Sequence, residues 1–150
     1  MKPILVPVDG SDCSMHALDF AVELASSLAA EIVVCHVLDL GRAAAMSGGA
    51  AQLVEESIEV LRAEGKEIID RAVARAGTKV HVSARVPEGA PVEQIERLAA
   101  ELPANFIVLG THGRSGLERL LMGSVAEGVV RAASVPAMVV PCDVAGARKR

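Results

Sequence analysis

The stretch of this 150-residue chain with the most chemical promise runs Gly110-Thr111-His112-Gly113-Arg114 and resumes at Gly123-Ser124. It follows a short apolar run and precedes a helical pattern. Unpaired N–H groups and the helix dipole favour an anion at such a junction. Glycines at 110, 113 and 123 permit positive φ and close approach of backbone to a ligand. Arg114 can counter phosphate charge, and Ser124 can donate its hydroxyl to a phosphate oxygen. His112 lies inside the loop, with phosphate contact and simple exposure as its two readings. Any one glycine is explained by a strand-to-helix turn, with Ser124 as an N-cap. The whole cluster in this setting favours a phosphate.

Asp9 ends the first apolar run. Open α/β sheets bind ligands outside the carboxyl ends of their strands, where strand order reverses. If the strands ending at Asp9 and Gly110 are neighbours, Asp9 faces the glycine loop across that crevice. It would then take ribose hydroxyls or a metal-bound water; its other reading is an N-cap.

Other chemistry is poorly supported. Neither G-x-x-x-x-G-K-[ST] nor G-x-G-x-x-G occurs. Gly113-Arg114-Ser115-Gly116-Leu117 misses the hydrolase elbow because Leu117 replaces its last glycine. Cys13 and His16 have C-x-x-H spacing without a second pair nearby for zinc. Cys35 and His36 point to opposite faces of one strand, and His81 sits on an alternating edge. No nucleophile–histidine–carboxylate set is evident, so no catalytic residue is assigned.

The elements that must position these residues alternate as βαβ units. Strands are expected at Ile4 to Val8, Ile32 to Leu38, Val80 to Val86, Phe106 to Leu109 and Ala137 to Val140. The third alternates with period two and reads as an edge; the second and fourth are continuous and read as central. Ser11-Asp12 caps a helix to Leu28, striped by Ala17, Leu18, Ala21, Leu24, Ala25 and Leu28. A second helix spans Gln52 to Ala76, with Gly65 on its apolar stripe marking close helix–sheet approach. A third begins at Pro91 and ends near Leu102-Pro103. A capping box, Ser124 to Glu127, opens the last. Residues 41–50 are the one break in composition and read as a flexible loop or lid.

Composition sets the outer limits. The length suits one domain, 1–150, with a core at about 3–141 and a tail at 143–150. The chain is 51% hydrophobic and 23% charged, with a net charge of −4, which speaks against nucleic acid as a partner. Trp and Tyr are absent and only Phe20 and Phe106 are aromatic, so a base pocket must be walled by aliphatic side chains and backbone. Cys13, Cys35 and Cys142 make an odd count with no C-x-x-C, which fits a reducing compartment. Neither a signal peptide nor a membrane-length apolar stretch is seen. The expectation is cytoplasmic, with no membrane partner.

Taken together, Ile4-Leu5-Val6-Pro7-Val8-Asp9-Gly10-Ser11 and the G-x-x-G-x9-G-[ST] pattern at Gly110, Gly113, Gly123 and Ser124 resemble the universal stress proteins. The likeness extends to His36-Val37, Gly89-Ala90-Pro91 and the ending Ser134 to Val140, and covers residues 3 to 141. It implies an α/β three-layer sandwich of the adenine nucleotide alpha hydrolase-like kind, with a five-stranded parallel sheet in order 3-2-1-4-5. It implies ATP, with magnesium or manganese held through the phosphates. Adenine would meet Val37 backbone and a wall near Pro7 and Val8; ribose would meet Asp9 and Gly110. Phosphates would meet Gly113, Arg114, Gly123, Ser124 and Val125. A homodimer through Ala137, Met138, Val139 and Val140 is also implied, which would cover an apolar sheet edge. The expected function is a nucleotide-dependent dimeric switch in stress adaptation. Alternatives are a scaffold that needs no nucleotide and a slow ATPase.

Overall fold

The computed structural model describes residues 2–112 and 122–142. Strand β1 (Ile4–Pro7) leads to α1 (Asp12–Leu28), then β2 (Ile32–Cys35) and β3 (Leu38–Asp39). Helices α2 (Leu40–Met46) and α3 (Ala51–Ala76) follow, then β4 (Val82–Arg85) and β5 (Glu88–Gly89). The chain continues through α4 (Pro91–Glu101), β6 (Phe106–Gly110), α5 (Ser124–Ala132) and β7 (Ala137–Val140).

The five main strands form one parallel sheet in the order β4-β2-β1-β6-β7. Renumbered over these strands alone, the order is 3-2-1-4-5, as the resemblance implied. Side chains along each strand alternate between two packed layers. Ile4, Val6, Ile32, Val34 and Val108 face α1 and α3, meeting Leu18, Ala21, Ile68 and Ala72. Leu5, Val33, Cys35, Ile107 and Leu109 face α4 and α5, meeting Ile95, Leu98, Ala126 and Val129. Burial on both faces explains why the central strands read as unbroken apolar runs.

Three local expectations are corrected. The second strand does not run straight to Leu38. It breaks after Cys35, and β3 pairs with β5 in a separate two-stranded ribbon. Of residues 41–50, expected as a flexible loop, 41–46 fall in α2, because Asp39 Oδ1 accepts from the N–H groups of Gly41 and Arg42 at 2.9 and 3.2 Å. An aspartate N-cap supplies the start that the small-residue composition concealed. The capping box at Ser124 does not form: Gly123 is the N-cap, and among the described residues no side chain caps α5.

Gly65 does mark close approach. A Cβ there would lie 2.9 Å from both His36 Cδ2 and Leu38 Cδ2. Gly110 also serves close approach, without positive φ. Its missing Cβ would fall 2.9 Å from the carbonyl oxygen of Cys13, where the first turn of α1 crosses the end of β6. Gly123 likewise has φ −59°.

Candidate functional site

Strand order reverses between β1 and β6. The chain builds outward from β1 through β2 to β4, then returns to lay β6 on the other side of β1. A cleft of about 360 Å³ opens at the carboxyl ends of these strands, within the usual range for a small-molecule site.

Of the residues singled out from sequence, Pro7, Val8, Asp9 and Val37 line one side of this cleft. Gly110, His112, Gly123, Ser124 and Val125 line the other. Gly113 and Arg114 lie outside the described residues. Sequence reading missed Asp39, Arg42 and Leu61, which also face the cleft. Their signal was the Asp39 cap, obscured because 41–50 looked structureless.

Asp9 braces the turn after β1. Its Oδ1 accepts from Ser11 N–H at 2.9 Å and from Ser11 Oγ at 2.5 Å. The N-cap of α1 is Ser11, whose hydroxyl accepts from Ser14 N–H. Asp9 is therefore not the cap, and its carboxylate is fixed at the cleft wall.

His36 is a packing residue that shapes the floor. It is buried, and its Nδ1 lies 2.8 Å from the Val8 carbonyl oxygen. Val37 falls in the gap between β2 and β3. His36 N–H bonds to Arg85 and Leu38 N–H to Pro87. Between them the Val37 N–H and C=O have no partner among the described residues. Cys35 lies beneath, and burial pushes its thiol up to about 12, so it stays neutral.

At the opposite end, Gly123 N–H donates to Thr111 C=O at 2.6 Å and pins the start of α5 beside the end of β6. The first turn of α5 lines the cleft through Ser124, Val125 and Ala126, and among the described residues no side chain caps it. Arg42, on α2, reaches Glu64 of α3 at 3.2 Å.

Cys13 and Cys142 are joined by a disulfide, leaving Cys35 as the free thiol. The odd count without C-x-x-C reads as unpaired thiols of a reducing compartment; the structure corrects this by pairing two cysteines 129 residues apart. The fold brings the end of β7 beside the first turn of α1.

A parallel α/β sheet with a ligand-sized cleft at its switch point and an open helix N-terminus across it defines a small-ligand α/β binding domain. Residues 1–141 match the model of the universal stress protein family, and the chain belongs to that family. It is 36% identical to universal stress protein MJ0531 of Methanocaldococcus jannaschii over 143 residues, covering 93% of this chain and 81% of that protein. Among solved structures it resembles hypothetical protein MJ0577, with TM-score 0.81, 26% identity and 95% and 97% of the two chains covered. It also resembles a universal stress protein from Archaeoglobus fulgidus in complex with dAMP (TM-score 0.68, 28% identity, 93% and 97% covered). A further match is a universal stress protein in complex with cAMP (TM-score 0.63, 28% identity, 93% and 96% covered).

Proposed function

We propose that this chain binds an adenine nucleotide, ATP with magnesium or manganese, and acts as a nucleotide-dependent dimeric switch in stress adaptation in the cytoplasm. The observation that carries the reading is the polarity of the cleft. One end offers the unpartnered backbone of Val37, and the other the uncapped N-terminus of α5. A purine edge needs one donor and one acceptor side by side, as one peptide backbone provides. A phosphate needs convergent N–H groups, as a helix start provides. Two similar structures are complexes with cAMP and dAMP, which supports an adenine nucleotide here.

Pro7 and Val8 wall the base. Asp9 and Gly110 take the ribose, and His112, Gly113, Arg114, Gly123, Ser124 and Val125 take the phosphates. Magnesium keeps most of its waters and needs one or two carboxylates beside phosphate oxygens. Asp9, fixed at the wall, suits one such contact through water. Such a cation would offset phosphate charge. In this reading hydrolysis of the bound nucleotide is at most slow.

The position of β7 as an edge supports dimerisation through that strand. The Pro136 and Val140 carbonyls accept from the N–H groups of Ile107 of β6 and of Thr111 just beyond it. Strand alternation then turns the N–H and C=O groups of Ala137 and Val139 outward, ready for a second copy. Among the described residues no helix is long and apolar enough to cross a membrane.

Isothermal titration of nucleotide-free protein tests the central claim. Saturable ATP binding at micromolar to submillimolar concentration is expected, and silence up to millimolar ATP overturns it.

A further inference from the structure

Beside the cleft, three soft-metal ligands converge from three elements. Cys13 comes from the first turn of α1, His112 from just beyond β6 and Cys142 from just beyond β7. Their ligand atoms all lie within 4.8 Å of one another. Cys13 is buried, while His112 and Cys142 are half-buried. Tetrahedral zinc holds thiolates at about 2.3 Å and imidazole nitrogen at about 2.0 Å, which sets its ligands roughly 3.5–3.8 Å apart. The cluster needs only small side-chain adjustment to meet that spacing.

We propose that, once the Cys13–Cys142 disulfide is reduced, Cys13, Cys142 and His112 form a binding site for a zinc ion. Water completes the coordination. A thiol reductant supplies two electrons and two protons: the S–S bond breaks, two cysteine thiols form, and the reductant leaves as its own disulfide. Zinc then binds both sulfurs as thiolates and releases two protons. The disulfide and the zinc site are mutually exclusive states of the same pair.

Thr111 supports the arrangement from behind. Its Oγ1 lies 2.9 Å from His112 Nδ1 and 3.8 Å from Cys13 Sγ, and it accepts from Cys142 N–H at 3.4 Å. Thr111 Oγ1 thereby touches all three ligand residues, and polar contacts around a metal site help to orient its ligands. Gly110 leaves the room, because a Cβ there would lie 2.9 Å from Cys13 Sγ. His112 is shared with the nucleotide reading, which places it at the phosphates, whereas Cys13 and Cys142 are not, so zinc binding is measured without nucleotide.

The test uses the full chain, free of nucleotide, in oxidised and reduced forms, titrated with zinc against a chromophoric chelator. Reduced protein should bind one equivalent and oxidised protein none. Cobalt should give thiolate charge-transfer absorption in the reduced form alone. Cys142→Ser should weaken zinc by at least about a hundredfold and His112→Ala by at least about tenfold, while Cys35→Ser changes nothing. Zinc should shield two of three thiols from alkylation. The oxidised wild type serves as the control that needs no substitution. Equal zinc affinity in the oxidised and reduced forms overturns the proposal, as does a loss in Cys35→Ser matching that in Cys142→Ser.

Discussion

Gly65 of α3 gives up its side chain to the imidazole of His36, which occupies the position a Cβ would need: the built Cβ falls 2.9 Å from His36 Cδ2. His36 is in turn tied to the Val8 carbonyl, so it cannot swing away without leaving that buried oxygen unpaired. Alanine would gain about 1 kcal/mol in helix propensity over glycine. Overpacking a tight contact costs about 1–3 kcal/mol. Gly65→Ala should therefore lower stability by about 1 kcal/mol, read as a lower midpoint in urea. A rise in the midpoint would mean that α3 is free to move off the sheet.

Ser124 separates a structural from a ligand-binding role. As Gly123 is the N-cap, the Ser124 hydroxyl does not cap α5. Ser124→Ala should leave stability within about 0.5 kcal/mol. It should weaken ATP about tenfold or more, the scale of one hydrogen bond to a charged group. Thermal unfolding and calorimetric titration on the same sample check both halves. A large stability loss with unchanged affinity would return Ser124 to the capping role.

The pairing of α1 with α3 carries a pH signature. Arg75 Nε and Nη2 donate to the two carboxylate oxygens of Asp19 at 2.7 and 2.6 Å. The hydrogen bond from Arg75 outweighs desolvation and holds the Asp19 carboxyl below its ordinary value of 3.8. A lowered carboxyl stabilises the fold above its unfolded value, and that contribution is lost as pH falls through the folded one. Both side chains are nearly half exposed, so the pair contributes under about 1 kcal/mol. Asp19→Asn should be less stable than wild type by that amount at pH 7. The gap should close as pH falls from the ordinary carboxyl value of 3.8 through the lowered one of the fold, measured as denaturation midpoints across pH. A gap independent of pH would point to packing instead.

Val139 tests the edge. Proline there removes an outward N–H while leaving the bonds of Pro136 and Val140 to β6 intact, and edge strands tolerate proline. Val139→Pro should yield a folded monomer by sedimentation where wild type sediments as a dimer. A folded dimer in the variant would exclude β7 as the joint.

Much of this was legible in the sequence because burial writes itself into residue type. Continuous apolar runs at Ile32 and Phe106 marked strands covered on both sides, and alternation at Val80 to Val86 marked an edge. Asp9 and Gly110 could be placed together because strand ends of a doubly wound sheet meet at the switch point, while Val37 came only with the family resemblance. What stayed hidden depended on long-range closure or on one local bond. The Cys13–Cys142 link spans nearly the whole chain. Helix α2 rests on the carboxylate of Asp39 within an otherwise unmarked run of small residues. Ser124 carried the spelling of a capping box, yet chain entry from Gly123 gave it a different position.

Helix α2 stands apart from the sheet that carries the rest of the cleft. It grows from Asp39 and leans on α3 through Arg42 and Glu64. The wall it forms is an interchangeable panel on a fixed frame. Ala43 anchors it against Leu38 and Leu61, and changes on its exposed side leave the register of the five-stranded sheet untouched, so the cleft wall and the frame behind it are separable parts.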